Sequence, residues 1–437
     1  MLYKLLKVII RFGMFLYYRE IKVKNAHVLN AHSGPMIIIA NHPNTLIDAW
    51  MIGRACKRQI NYMTKGTFFN SPWKKRLLMS LGMIPINRQT DGNTKGVENT
   101  DSFEACYRIL EKGQTLVVFP EGNSFQEHSL RTLKTGTARI ALEVQRRNQG
   151  KLDLIIVPVG LFYTEAHRFR SAVMMHVGEP IPLSGVSEDP QYDLYAHAKQ
   201  LTEKFRTGLE QLLVMSQSAE QERLLEELHE ILKEPDAPDG VEYHAKRMKD
   251  LGNRLAEIQV LDPLKMEEIQ RLAGSFVYEK EQLAIREDLL VKGNRKRHFL
   301  RESSLSVLFL IIGLPFFLFG FLHNVLPFRL TSLIVPRLTP YIEYYAPLSI
   351  LLGLILYPLN YTFLLDQASE LFGLSLGLKC LYFAAMPISG MYAYYYLHLA
   401  SAFSKRMKFL IQLKGNRQDV NDLRRIRQAL AEKIGLS

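Results

Sequence analysis

The chain has 437 residues, enough for a core domain and at least one further region. Its formal net charge of +12 favours anionic partners: nucleic acid, anionic lipid or phosphorylated metabolites. Three cysteines without metal-ligand spacing exclude a disulfide framework and indicate a reducing compartment for the soluble part.

The first 18 residues are apolar but carry Lys4, Lys7 and Arg11 at helical spacing, and therefore on one face. A basic stripe on an apolar helix predicts an interfacial membrane anchor over residues 1–24 rather than a span. Arg11 interrupts the apolar run and no small-residue cleavage site follows, which argues against a cleaved signal peptide. A helix packed on the protein core is the alternative.

Residues 25–215 alternate strand and helix patterns, which predicts an α/β domain with one mixed sheet covered by helices. The predicted strands are Met36–Ala40, Gln59–Met63, Leu116–Phe119, Leu154–Val159 and Val173–Val177. The predicted helices cover residues 46–56, 73–81, 97–112 and 134–147.

A polar region follows, rich in Glu, Lys, Leu and Gln, and Pro235–Gly240 divides it into two helical stretches. We predict a helical linker or lid over residues 216–300. A partner platform and a spacer fit the same pattern.

Three apolar runs then cover residues 303–328, 344–365 and 371–403. The first contains no ionisable group except His323 and is long enough to cross a bilayer, so residues 301–404 are predicted to be membrane-embedded. Basic clusters flank this region on both sides. The positive-inside tendency would place both flanks, and the α/β domain, on the cytoplasmic side, which needs an even number of crossings. The third run is too short for two spans, so it indicates a re-entrant segment or an exception to the charge rule, and the span count stays open.

The basic C-terminal region, residues 405–437, contains an amphipathic helical pattern over 416–434 that fits a protein surface or a membrane surface. The aromatic stretch Tyr392–Tyr396 predicts an interfacial belt rather than a base-stacking platform. We therefore expect membrane lipids, and not nucleic acid, among the partners.

The stretch from Ile37 to Asp48 combines an apolar run typical of a buried strand with a turn that contains Pro and Asn. Thr45 is predicted to be a helix N-cap, with Asp48 at the third helical position. His42 would then lie between a strand and a helix, where α/β folds place ligands. The alternative is a plain capping box in which His42 is an ordinary turn residue.

Four short blocks occur in a fixed order: Asn41-His42 followed after five residues by Asp48, then Gly82–Arg88, Phe119–Ser124 and Ile156–Gly160. Together they resemble the glycerolipid acyltransferase family, the PlsC-like membrane enzymes that acylate glycerol phosphate and lysophospholipids. The resemblance covers roughly residues 30–210. Most of the family has four residues between His and Asp, and the five-residue spacer resembles the branch with fungal glycerol-3-phosphate and dihydroxyacetone-phosphate acyltransferases.

The resemblance implies a role for each block. His42 and Asp48 would be the catalytic pair, Arg88 would contact phosphate, Glu121 and Gly122 would lie at the acceptor site, and the fourth block would be a structural strand. An acyl thioester, either acyl-CoA or acyl carrier protein, would be the donor substrate, and no cofactor is implied.

Acyl transfer to an alcohol needs a base, because an aliphatic hydroxyl is a poor nucleophile at neutral pH, and histidine titrates in the useful range. A carboxylate at its other ring nitrogen would fix the tautomer. We predict direct attack, in which His42 takes the proton from the acceptor hydroxyl. Ser124 is not in a Gly-x-Ser-x-Gly elbow, so it is expected to cap or position the loop rather than form an acyl-enzyme.

Phosphate binding needs fixed cations, and Arg88 is the first candidate because arginine contacts phosphate bidentately. Lys65, Lys134 and Arg139 are weaker candidates, each equally explained as a solvated charge; the segment Lys134–Arg139 opens a helix, which also favours an anion. Asn41 is a further candidate for substrate binding.

Glu121 follows a predicted buried strand, so its carboxylate could accept bonds from acceptor hydroxyls, pair with Arg88 or stabilise the loop. Gly122 would allow close backbone approach. The His residues show no metal-site spacing, and we predict no metal.

Two further hypotheses remain open. A non-catalytic membrane scaffold could bind anionic lipid, but the intact His42, Asp48 and Glu121 argue against it. A thioester hydrolase would need the same residues without a phosphate site, so Arg88 distinguishes it from the transferase.

Overall fold

The computed structural model describes residues 2–86, 99–127, 129–183, 193–216, 218–234, 237–283, 296–415 and 417–436. The chain forms two compact units. The first comprises Met1–Gln217, Gly240–Ala245 and Thr339–Ile350. The second comprises Ser218–Asp239, Lys246–Leu338 and Leu351–Ser437. The finer domain bounds drawn from the sequence stay predictions.

The first unit is built on one sheet. Its strands are β1 (Glu20–Lys24), β2 (Met36–Ala40), β3 (Ile60–Lys65), β4 (Met83–Ile86), β5 (Thr115–Val118), β6 (Ile155–Tyr163) and β7 (Ala172–Val177). They lie in the order β1-β7-β6-β2-β5-β3-β4, and all neighbours are parallel except β6 and β7. Every residue of β2 is fully buried, because this strand has neighbours on both sides and cover on both faces. The predicted mixed sheet is confirmed.

The sequence did not predict β1 or β4. Charged and apolar residues alternate in β1, and β4 contains Pro85. These two strands form the edges of the sheet. An edge strand needs a ladder on one side only, so charged residues and proline are tolerated there.

Helices are assigned along the described chain as α1 (Leu2–Tyr17), α2 (Val28–Ala31), α3 (Thr45–Ala55), α4 (Pro72–Ser80), α5 (Asn99–Glu111), α6 (Gly136–Arg147), α7 (Leu194–Glu210), α8 (Ala219–Ile231), α9 (Val241–Leu261), α10 (Pro263–Leu283), α11 (Lys296–Leu338), α12 (Tyr345–Phe372), α13 (Leu376–Gly415) and α14 (Arg417–Ile434). Short 3₁₀ helices cover Gly66–Phe69 and Ile342–Tyr344.

Helix α1 turns its cationic side inward. The Lys7 ammonium donates to the Cys56 carbonyl at 2.7 Å, and the Arg11 guanidinium donates to the Arg54 carbonyl at 2.5 Å. Both carbonyls lie at the C-terminal end of α3, where the helix dipole favours a cation. The other side of α1 leaves Phe12 and Phe15 exposed to 57% and 65%. Two of the three cations that predicted an anchor therefore bind the protein, and the apolar side stays exposed. The interfacial anchor stays a prediction.

The second unit contains a polar helical cluster. Helix α14 packs with α8 and α10: Arg427 donates to the Ile231 carbonyl at 2.9 Å, and Lys433 pairs with Glu268 at 2.5 Å. Leu423 and Leu430 of α14 are fully buried. Of the two surfaces predicted for this basic helix, the structure shows packing on protein.

Two helical stretches of the described chain, Ser304–Leu338 and Ile342–Phe372, are long and apolar enough to cross a membrane. Helix α13 passes close to α11: a Cβ on Gly320 would lie 2.0 Å from the Ser389 carbonyl oxygen. Most of the third apolar run, residues 376–403, lies in α13, a single continuous helix. Of the two alternatives for this run, the continuous helix favours an exception to the charge rule over a re-entrant segment, and the span count stays open. Pro387 lies inside α13 without ending it.

Candidate active site

The carboxyl ends of β2, β3, β5 and β6 meet at one edge of the sheet, because these strands run parallel. His42 follows β2 by two residues, and Glu121 follows β5 by three. Lys65 is the last residue of β3, and Tyr163 is the last residue of β6. The sheet therefore gathers four polar side chains from distant parts of the sequence at the edge where α/β folds place ligands.

The predicted contact between His42 and Asp48 is present. Nδ1 of His42 lies 2.8 Å from Oδ2 of Asp48, and the Asp48 side chain has no exposed surface. An ionised carboxylate only accepts hydrogen bonds, so Nδ1 carries the proton and Nε2 remains available to accept one. The catalytic roles of the two residues stay predictions.

The chain bends sharply between the two members of this pair. Helix α3 begins at Thr45, whose φ is +40°, a strained value for a β-branched residue. The N-cap is Asn44, so the predicted cap at Thr45 is wrong, and Asp48 is the fourth helical residue rather than the third. Thr45 Oγ1 instead donates to the Glu343 carbonyl at 2.9 Å. This turn brings Asp48 back toward His42.

The buried Asp48 carboxylate has three donors. The backbone amide of Asn44 donates to Oδ2 at 2.7 Å, and so does Nδ1 of His42 at 2.8 Å. The Tyr163 hydroxyl donates to Oδ1 at 2.7 Å. Burial raises the pKa of Tyr163 well above its usual range, and the Asp48 charge adds to that shift. Because a buried charge is stable only when hydrogen-bonded or paired, these donors allow an ionised carboxylate in the interior.

The imidazole of His42 stacks face to face on Phe119. The ring centroids are 3.8 Å apart and the planes differ by 9°. The side chain of His42 is 13% exposed. Stacking on one side and Asp48 at Nδ1 together restrict the ring to one orientation.

The loop after β5 is fastened to the His42 turn by two side chains. Glu121 accepts from the backbone amides of His42, at 3.1 Å, and Arg131, at 3.2 Å. Burial raises the Glu121 pKa above its usual value, and these amides oppose that shift. Ser124 donates to the His42 carbonyl at 2.7 Å and accepts from the Thr45 amide at 3.0 Å. Glu121 therefore stabilises the loop through backbone amides rather than through the salt bridge that was one alternative for it, and its acceptor contacts stay predictions. Ser124 lies where a loop-positioning residue is expected.

Gly122 and Lys134 meet on the outer side of this loop. Gly122 has φ +81°, and a Cβ there would lie 2.6 Å from the Lys134 ammonium. The Lys134 amide donates to the Pro120 carbonyl at 2.8 Å. A larger residue at position 122 would displace the lysine, so Gly122 permits the Lys134 ammonium to lie against the loop.

The other predicted substrate contacts divide into three cases. Both polar atoms of the Asn41 side chain bind the backbone of Leu161, at 2.9 and 2.8 Å, and substrate binding by Asn41 stays a prediction. The guanidinium of Arg139 lies 5.6 Å from the centroid of the Phe103 ring, on the exposed side of α6. Arg88 lies outside the described residues, two positions after β4 ends at the shared edge.

Sequence reasoning missed Tyr163, Phe119 and the segment Thr339–Ile350 as parts of the site. The segment belongs to the first unit, and its Ile342 carbonyl accepts from the side-chain amide of Gln126 at 3.3 Å. Among the described residues, no group of three or more His, Cys, Asp or Glu could hold a metal ion.

Comparison with known proteins agrees with this geometry. Residues 20–161 match the family model described as Acyltransferase. Over 89 residues the chain is 33% identical to glycerol-3-phosphate O-acyltransferase 2 of Saccharomyces cerevisiae, covering 20% of this chain and 12% of that protein. Over 145 residues it is 21% identical to 1-acyl-sn-glycerol-3-phosphate acyltransferase LPAT1, chloroplastic, of Arabidopsis thaliana, covering 33% of this chain and 36% of that protein.

A solved structure, the 1-acyl-sn-glycerophosphate acyltransferase PlsC from Thermotoga maritima, is 18% identical, with a TM-score of 0.35 over 48% of this chain and 79% of that one. The chain spans about an eighth of the yeast relative and about a third of the plant relative. The predicted resemblance to glycerolipid acyltransferases is confirmed by the match of residues 20–161 to the Acyltransferase family model.

Proposed function

We propose that this chain moves a fatty acyl group from an acyl thioester to a hydroxyl of glycerol-3-phosphate or a lysophosphatidate. The observation that carries the proposal is the 2.8 Å contact between His42 and Asp48 at the carboxyl edge of a sheet in an acyltransferase domain. The names of the yeast and plant relatives support a phosphorylated glycerol or lysophospholipid as acceptor.

In the proposed reaction, Nε2 of His42 takes the proton of the acceptor hydroxyl while that oxygen attacks the thioester carbonyl. The carbon–sulfur bond then breaks, and the thiol leaves with the proton that His42 gained. Asp48 holds the ring and stabilises the imidazolium between these steps. Ser124 already donates to the His42 carbonyl, which favours direct attack over a serine acyl-enzyme.

The phosphate of the acceptor would be bound by cations at the same edge of the sheet. Lys134 lies over Gly122, Lys65 ends β3, and Arg88 follows β4. Such cations attract and orient a phosphate without taking part in proton transfer. Glu121 would act by holding the turn that carries His42.

We further propose that the protein is an integral membrane protein with its catalytic domain on the cytoplasmic face. The two apolar stretches and the exposed apolar side of α1 support membrane association. A lipid acceptor or product makes this location useful, because the substrate need not leave the bilayer to reach the site.

The test uses the full chain in liposomes with a labelled long-chain acyl thioester. Glycerol-3-phosphate, dihydroxyacetone phosphate and 1-acylglycerol-3-phosphate are offered separately. We expect an acylated product with one of them, and His42→Ala should lower the rate about 10²–10⁴-fold, the usual contribution of a positioned base.

His32→Ala is a matched control. His32 also contacts an aspartate, with Nε2 2.8 Å from the Asp153 carbonyl, but it precedes β2 and so lies at the opposite edge of the sheet. It should leave turnover unchanged. Thioester loss without acylated product would replace the transferase by a hydrolase. A folded protein inactive with every acceptor would overturn the proposal.

A further inference from the structure

Tyr163 reaches the candidate site because β6 is longer than its neighbour β2. The two strands are parallel, and the last residue of β2, Ala40, pairs with Val159. β6 continues for four residues, paired on its other side with β7, where Tyr163 lies opposite Val173. This overhang places the Tyr163 side chain level with the turn that carries His42.

The hydroxyl of Tyr163 donates to the one Asp48 oxygen that His42 does not use. Oδ1 accepts from Tyr163 at 2.7 Å, whereas Oδ2 accepts from His42 at 2.8 Å and from the Asn44 amide at 2.7 Å. Donors on both oxygens prevent rotation of the carboxylate about its Cβ–Cγ bond. Since Tyr163 and Asp48 are both buried, water cannot replace a donor that is lost.

We propose that Tyr163 is a positioning residue for acyl transfer: its hydroxyl fixes the Asp48 carboxylate, which in turn fixes the His42 ring. The inference rests on the proposed function. Tyr163 acts through Asp48, so its removal should change the proton-transfer step and leave substrate binding unchanged.

Other charged or titratable groups also face this carboxylate. Tyr18 lies near it, with its ring centroid 6.1 Å from that of Tyr163. Burial raises the pKa of Tyr18 and of Glu121, and the Asp48 charge adds to both shifts. The hydroxyl of Tyr18 accepts from the Asn44 side chain at 3.1 Å rather than donating to Asp48. Tyr163 is therefore the tyrosine to test.

The experiment compares Tyr163→Phe with Tyr17→Phe in the full chain. Tyr17 also has a largely buried hydroxyl, which donates to the His167 carbonyl at 2.6 Å, away from Asp48. We expect Tyr163→Phe to lower kcat about tenfold, as for the loss of one hydrogen bond to a charged group. KM for thioester and acceptor should stay constant, and the acid limb of the kcat–pH profile should move. Tyr17→Phe should change none of these quantities.

A double variant tests whether Tyr163 acts through Asp48. In an Asp48→Asn background, Tyr163→Phe should lower kcat less than about twofold, because contacting residues are not additive. Multiplicative losses, a change confined to KM, or an equal loss in Tyr17→Phe would overturn the proposal.

Thermal unfolding of the same variants separates this inference from the proposed function. If the wild type transfers no acyl group, the proposed function fails, and coupling between positions 48 and 163 in the unfolding temperatures still decides the hydrogen bond. Tyr163→Phe should lower that temperature in the wild type and have a smaller effect in Asp48→Asn. Equal effects in the two backgrounds would show that the hydroxyl does not hold the carboxylate.

Discussion

The first unit and the long C-terminal helices place apolar side chains in opposite ways. In the first unit, β2 buries Ile37, Ile38 and Ile39 completely. In α11, Ile311 and Ile312 are exposed to 66% and 61%. A soluble fold hides apolar surface from water, whereas a helix in lipid can present it outward.

Polar side chains lie between the long helices. Asn324 of α11 donates to the carbonyls of Gly320 and Met386 and accepts from the Tyr361 hydroxyl. His323 contacts the Tyr382 hydroxyl through Nε2 at 2.5 Å. Polar side chains thus join α11, α12 and α13, where lipid would offer no partner. The direction of the apolar side chains therefore distinguishes a fold suited to water from helices suited to lipid better than amino-acid composition does.

The largest expected effect tests this comparison with one substitution at two sites. Ile38→Ala should lower the free energy of unfolding by about 2–5 kcal/mol, because it leaves a cavity in the central strand. Ile312→Ala should change it by less than about 0.5 kcal/mol, because the side chain is exposed. Unfolding in detergent measures both. Equal losses of unfolding free energy would mean that the Ile312 side chain is buried in the folded protein.

A smaller effect is expected from the polar interior of the long helices. Asn324→Leu should lower stability in detergent by about 1–2 kcal/mol, since hydrogen bonds between such helices contribute about 0.6 kcal/mol on average and several are lost. Thr362→Val is the control, because the Thr362 hydroxyl binds only carbonyls of its own helix and is exposed. Similar thermal midpoints for the two variants would contradict the polar-interior description.

The smallest effect concerns a half-buried histidine in the first unit. Burial lowers the pKa of His167 below its usual value of 6.5, with Glu165 opposing the shift. The folded state therefore binds fewer protons than the unfolded state just below pH 6.5, so stability is full above that pH and falls as the pH drops. The melting temperature of the wild type should fall relative to His167→Asn between about pH 7 and 5. A constant difference over that range would remove His167 as the cause.

The sequence predicted those parts of the site that lie close together in the chain. His42 and Asp48 are six residues apart, and a strand–turn–helix pattern suffices to place them together. Tyr163 lies 115 residues from Asp48, and only the neighbouring positions of β2 and β6 bring it there. Strand order is not encoded in any local pattern, so this third partner could not be predicted.

The error at Thr45 and the bonding of Asn41 have a different cause. Thr45 has the residue type of an N-cap, but Asn44 is the N-cap and the Thr45 hydroxyl binds the Glu343 carbonyl. Asn41 has the residue type of a ligand, yet it continues the hydrogen bonding of the sheet to Leu161. Residue type gives chemical capacity, and tertiary contacts decide which capacity is used.

The bond between Thr45 and Glu343 joins positions 298 residues apart. A protein is synthesised from its N-terminus, so the sheet, both acidic side chains of the site and all of α11 emerge before the carbonyl that Thr45 binds. The Thr45 hydroxyl, at the start of the helix that carries Asp48, can therefore bind this carbonyl only after the first long apolar helix has left the ribosome. Completion of the first unit is therefore a late event in the synthesis of the chain.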